Sequence, residues 1–196
     1  TLTAGRATLV GIAALKGSED ELLQLAASVQ HGSEHPLARA VLAAAAARGL
    51  RPEPVTGFRS HTGRGVTGTV GGRELHIGNA RLLQELGIAA GAAAGTVQAF
   101  EHEGRTAVYV ADRDGVVGVL AIADPLRPEA VAAVADLKRM GVRTLLLSGD
   151  AALVVAAVGR EAGVDEARGA VHPEGKAAAV AELRAAEAAR GRERLQ

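Results

Sequence analysis

Ser33-Glu34-His35-Pro36-Leu37 is the sharpest chemical signal in this 196-residue sequence. Proline after His35 fixes the backbone and starts a helix, so the imidazole is held at a helix N-terminus. A flat, neutral ring there can stack on a purine base, an interaction of about 1–3 kcal/mol per base. The same residues also suit an ordinary capped surface turn. Gly63-Arg64-Gly65-Val66-Thr67-Gly68 fits a G-x-G-x-x-G pattern. It precedes a β-run instead of opening a helix, so the dinucleotide-fold context fails. A glycine-rich strand edge still lets a backbone approach a ligand closely, with a plain hairpin as the alternative.

Ser148-Gly149-Asp150 follows an apolar run ending at Leu147 and precedes a helical stretch. Ligands of α/β sheets sit beyond the carboxyl ends of strands, and small donors at a helix N-terminus suit a phosphate. Asp150 is equally suited to capping that helix. Lys176, in His172-Pro173-Glu174-Gly175-Lys176, either neutralises a phosphate as a point charge or is simply solvated. His31 and His35 are four apart, but Gly32 and Pro36 interrupt any helix across them. His61, His76 and His102 are scattered, and no metal site is expected from any of these histidines.

The elements that must position these groups fall into two textures. Residues 22–29 repeat apolar side chains at helical spacing behind Ser18, a plausible N-cap followed by acidic residues at 19–21. Residues 37–47 continue as an alanine-rich helix up to Gly49. The stretch 57–78 is glycine-rich with β formers, and Gly71-Gly72 is a hairpin turn signal. Helices are expected at 79–86 and 92–102, then strands at 106–111 and 116–122 joined by Asp112-Arg113-Asp114-Gly115. After Asp124-Pro125 the pattern becomes helix at 128–140, strand at 142–147, and helices at 151–162 and about 174–190. Apolar strands alternating with helices imply a buried parallel sheet. One domain is therefore expected at 5–119 and a second at 120–196, with 1–4 belonging to the second.

Composition excludes several classes. Lys plus Arg and Asp plus Glu are both 22, so no basic surplus points to nucleic acid or anionic lipid. Cysteine is absent, which removes disulfides, thiolate nucleophiles and Cys-based metal sites. No apolar run approaches the roughly 20 residues that cross a bilayer. The start at Thr1 rather than Met, without a signal peptide, is expected of a fragment, soluble and monomeric.

Taken together and in order, these motifs resemble the heavy-metal-transporting P-type ATPases, and the resemblance covers essentially the whole chain. Thr1-Leu2-Thr3 matches the last three residues of that family's Asp-Lys-Thr-Gly-Thr-Leu-Thr phosphorylation motif. Ser33 to Leu37 matches its histidine motif, Gly63, Gly65 and Val66 its Gly-x-Gly-Val, and Gly78-Asn79 its Gly-Asn. Asp124 to Ala130 resembles Asp-x-x-Arg-Pro-Glu-Ala, Ser148-Gly149-Asp150 the Thr-Gly-Asp, and Pro173 to Lys176 the Pro-x-x-Lys. The resemblance implies an α/β, Rossmann-like, haloacid-dehalogenase-like phosphorylation domain, present in part. It also implies an inserted α+β nucleotide-binding domain built on an antiparallel sheet.

His35 would then stack on or orient adenine beside Glu34 and Gln30, with Gly63, Gly65 and Gly78 lining the ATP cleft. Ser148, Gly149, Asp150 and Lys176 would handle the transferred phosphoryl group. ATP and ADP are the implied ligands, with Mg2+ in the full-length enzyme. Actuator and transmembrane domains are the implied partners, and the cytoplasmic side of a membrane the implied location. The parent would form an aspartyl-phosphate that drives a heavy metal, copper favoured, across that membrane. The acceptor aspartate would lie four positions before Thr1, and Gly-Asp-Gly-x-Asn-Asp after Gln196. The chain is thus expected to bind nucleotide without catalysis. Gln30, Ala151 and Gly175 stand where the family has Glu, Asn and an acidic residue. A soluble regulatory module and a capped phosphatase are the competing readings.

Overall fold

The computed structural model describes residues 2–171, 175, 177, 178 and 180–182. Six antiparallel strands form its main sheet: β1 (Thr8–Ala14), β2 (Val55–His61), β3 (Gly65–Val70), β4 (Arg73–Gly78), β5 (Thr106–Asp112) and β6 (Gly115–Ala123). Their spatial order is β1-β6-β5-β4-β3-β2. Consecutive strands are therefore neighbours except for β1, which returns to the far edge and pairs with β6 from Thr8↔Ala123 to Ala14↔Gly118.

Helices cover both faces of the sheet. On one lie α1 (Glu19–Gln30) and α2 (Pro36–Ala47), packing Leu22, Leu23, Val29 and Val41 against Leu75, Ile77, Val110 and Leu120. α1 begins with a reciprocal capping box: Glu21 N–H donates to Ser18 Oγ (3.2 Å) and Ser18 N–H to Glu21 Oε2 (2.8 Å). On the other face α3 (Ala80–Glu85) and α4 (Ala94–His102) pack Leu83 and Val97 against Tyr109, Ala111 and Val119. The β5–β6 register slips between Val110 and Ala111, which leaves Val117 as an extra residue. That bulge lets Val117 face the same core as Leu120 and Ile122 despite the odd spacing.

The remaining elements are α5 (Pro128–Arg139), β7 (Leu145–Leu147), α6 (Ala152–Ala162) and β8 (Glu166–Arg168). β7 and β8 pair in parallel across α6, as an α/β crossover requires. α6 ends on Gly163 at φ +75°, the left-handed position that glycine adopts without strain. Between the sheet and this βαβ unit the chain runs as a double strand: Thr3 bridges Leu126, Ala4 N–H donates to the Pro125 carbonyl (2.9 Å), and Arg127 Nε donates to the Thr3 carbonyl (2.8 Å).

Strands and helices fall near their expected positions, with three exceptions. β1 and β8 carried no expectation, and β7 is three residues long where 142–147 was expected. The helix expected at about 174–190, and Lys176 with it, lie largely outside the described residues.

Candidate active site

The glycines of the G-x-G pattern meet Gly78 in one corner of the sheet. Gly65 pairs directly with Gly78 across β3 and β4. The two backbones are so close that a Cβ on Gly65 would sit 2.1 Å from the Ile77 carbonyl oxygen, and one on Gly78 would sit 2.2 Å from that of Arg64. Asn79 then ties the corner together. Its Oδ1 accepts from Arg81 N–H (3.1 Å) and Leu82 N–H (3.3 Å), capping α3, while its Nδ2 donates to the Gly63 carbonyl (3.0 Å). Gly63 itself turns at φ +69° and faces open space. The side chain of Arg64, between the glycines, is ion-paired with Glu85 of α3. The segment is thus a hairpin in form, with its backbone drawn into a close corner.

His35 is the N-cap of α2, and its Nδ1 accepts from Leu37 N–H at 3.3 Å. With Nδ1 so engaged, a neutral ring carries its hydrogen on Nε2, and the ring is exposed. Ser33 Oγ accepts from His35 N–H (3.3 Å), and Ser33 N–H donates to the Gln30 carbonyl (2.9 Å), which fixes the turn. Glu34 is exposed, and its carbonyl accepts from Arg39. Gln30 is only 4% exposed. Gln30, at the end of α1, therefore does not face solvent. No side-chain hydrogen bond holds its amide among the described residues. No buried polar atom there is left unpaired, so what surface Gln30 keeps lies at the amide.

Ser148, Gly149 and Asp150 follow β7, as expected. Asp150 is not the cap of α6, however: Ala151 holds that position without a side-chain hydrogen bond. Asp150 instead accepts from the Ser148 hydroxyl at 2.6 Å. The first N–H groups of α6 therefore lack a side-chain acceptor, an arrangement suited to an anion.

A cleft of about 330 Å³ joins the two regions, lined by Gly63, Asn79 and Tyr109 on one side and by Gly149, Asp150 and Ala151 on the other. His35, Gln30, Gly65 and Gly78 do not line it. Sequence reasoning missed Tyr109 and Glu101 as lining residues. Burial pushes the Glu101 carboxyl above its ordinary value. Burial, then the Glu101 charge, does the same to the Tyr109 phenol. Nothing in their spacing marks them, because α4 and β5 bring them together only in three dimensions.

A helix-flanked antiparallel sheet set beside a parallel βαβ unit, with a cleft at the strand ends, defines a class. The chain belongs to the haloacid dehalogenase-like hydrolase family, whose model matches residues 1–190. Its relatives narrow this further. The chain is 40% identical over 185 residues to a copper-transporting P-type ATPase of Rhizobium leguminosarum bv. viciae, covering 94% of this chain and 22% of that protein. It is 38% identical over 186 residues to a silver-exporting P-type ATPase of Salmonella typhimurium, covering 94% and 23%. The solved structure of a zinc-transporting PIB-type ATPase in an E2·Pi state superposes with TM-score 0.67 at 34% identity, covering 94% of this chain and 30% of that one. Close homologues over most of this chain are thus heavy-metal P-type ATPases, and the chain spans about a fifth to a quarter of the curated relatives' length.

Proposed function

We propose that this chain binds ATP and ADP for a heavy-metal P-type ATPase, on the cytoplasmic side of a membrane. Residues 5–119 serve as the nucleotide-binding domain, and residues 120–196 with 1–4 as part of the phosphorylation domain. The observation that carries this reading is the shared cleft, which sets Gly63 and Asn79 opposite Gly149 and Asp150. A nucleotide lying along it has its base towards the α1–α2 turn and its phosphates towards α6. His35 offers a ring face and an Nε2 donor, Gln30 an amide and Glu34 a carboxylate, while Gly65 and Gly78 give a close backbone next to Gly63. Ser148, Gly149 and the open N–H groups of α6 receive the phosphoryl group, with Lys176 as counter-charge.

The described residues gather no group of three or more carboxylate, histidine or cysteine ligands. Without such a group they do not by themselves fit Mg2+. Phosphorylation and metal transport, with copper favoured, belong to the parent enzyme with its actuator and transmembrane domains. No helix among the described residues is long and apolar enough to cross a membrane. Residues 1–196 alone bind nucleotide without turning it over.

Calorimetric titration with ATP tests the reading. The unaltered chain is expected to bind, and His35→Ala to bind about tenfold more weakly, as expected for one lost stacking contact. Unchanged affinity in His35→Ala would remove the histidine from the site, and no binding by either protein would remove the function.

A further inference from the structure

The chain has three aromatic residues, Phe58, Phe100 and Tyr109. Tyr109 is buried, and Phe100, on α4, packs against the sheet. Phe58 alone is open, at 37% exposure. Its position is set by a break in the β2–β3 ladder: Thr56 pairs with Thr69 and Arg59 with Thr67, so two residues of β2 oppose one of β3. Gly57 makes the break possible at φ +61°. Bulges of this kind re-aim a side chain, and they recur beside binding sites.

The bulge turns Phe58 towards the α1–α2 turn. Its Cγ, Cδ2 and Cε2 atoms lie 3.4–3.5 Å from where a Cβ on Gly32 would stand. The ring thus lies flat across the backbone of residue 32, between Gln30 and His35 in sequence. Gln30 is nine-tenths buried, and its amide has no protein partner among the described residues. An exposed aromatic face and an unpaired amide, which offers both donors and an acceptor, suit a planar heteroaromatic base.

We propose that Phe58 supplies an aromatic wall of the base site; this rests on the nucleotide reading above. The ring contributes base-dependent affinity, and the Gln30 amide reads the edge of the same base. A ring that merely covers Gly32 would contribute to folding and nothing to base recognition.

The test compares ATP with inorganic tripolyphosphate, which has the phosphates and no base. Phe58→Leu is expected to lose about tenfold in ATP affinity while its tripolyphosphate affinity stays the same, and Phe58→Tyr to keep both. In the unaltered chain, the Phe58 ring protons should shift by NMR on adding ATP and not on adding tripolyphosphate. The NMR arm holds even if Phe58→Leu fails to fold. Unshifted ring protons, or equal ATP affinity in Phe58→Leu, overturn the proposal while leaving the nucleotide reading in place. A chain that binds no ATP overturns both.

Discussion

The antiparallel sheet and the βαβ unit are built from similar alanine- and valine-rich sequence, yet they bury it very differently. In the sheet, Leu75, Ile77, Val110, Val119 and Leu120 are fully buried between two helical layers. In the βαβ unit, all three residues of β7 and all three of β8 are only half-buried, and α5 buries Val134 alone. Met140, at its end, is 75% exposed. A parallel sheet depends on cover over both faces, whereas an antiparallel sheet with helices on each side closes its own core. The antiparallel half is therefore expected to be the stable platform, and the βαβ half the pliable one.

Core truncation should break this comparison most visibly if it is wrong. Leu75→Ala removes a fully buried side chain and is expected to cost about 2–5 kcal/mol. Leu146→Ala, in half-buried β7, should cost less than half as much. Urea unfolding followed by circular dichroism measures both, and equal losses would refute the contrast.

A pair of glycines sharpens it. A Cβ on Gly65 would meet the Ile77 carbonyl oxygen at 2.1 Å, inside a fully paired hairpin. One on Gly169 would meet Ala152 Cα at 2.6 Å, beside the Ser148–Asp150 loop. Both substitutions force backbone to move, but only the second has a loosely held neighbourhood to absorb the shift. Gly65→Ala is expected to lower the melting temperature by several degrees more than Gly169→Ala. The reverse order in thermal melts would place the rigid backbone in the other half.

The smallest expected effect is in acid. Burial lowers the His76 pKa, with His61 and Arg59 pushing the same way and Glu74 and Asp112 opposing. Its ring Nδ1 and the His61 Nε2 both lie 3.0 Å from Thr67 Oγ1. Because the folded ring binds a proton less readily than the unfolded one, its contribution is complete above about pH 6.5. It is lost as pH falls from there through the folded pKa, and levels off below it. In the βαβ unit, the exposed Asp165 is held below its ordinary value by the Thr144 N–H and hydroxyl, so its contribution is lost only at lower pH. Urea midpoints at pH 7.5 and 5.5 should differ less in His76→Asn than in the unaltered chain. An identical difference would assign the titration elsewhere.

How much of this was legible in the sequence depends on whether the cause was local. Ser18 with Glu21, Pro36 before Leu37, and Gly71-Gly72 each act within a turn, and α1, α2 and the β3–β4 hairpin stand where they point. β1 is different. Its Thr8–Ala14 run pairs with β6, more than a hundred residues away. β8 is three residues, Glu166–Arg168, which form a strand only because Leu145–Leu147 lies beside them. In the candidate site, the glycines and His35 stand out by their motifs alone. The burial of Gln30, the closeness of Gly65 to Gly78 and the bulge that turns out Phe58 are products of pairing register, which residue types alone do not encode.

The double strand between the halves has a mechanical consequence. Leu2–Ala4 and Pro125–Arg127 run side by side and are hydrogen-bonded, so two rails instead of one join the halves beside the contact of α4 with α6. A single tether would let the sheet spin about its own axis as freely as it tilts. Two bonded rails oppose spinning, since torsion would shear the bonds between them, while they still bend together like a strip. Any relative motion of the halves is therefore expected to resist twisting more than bending.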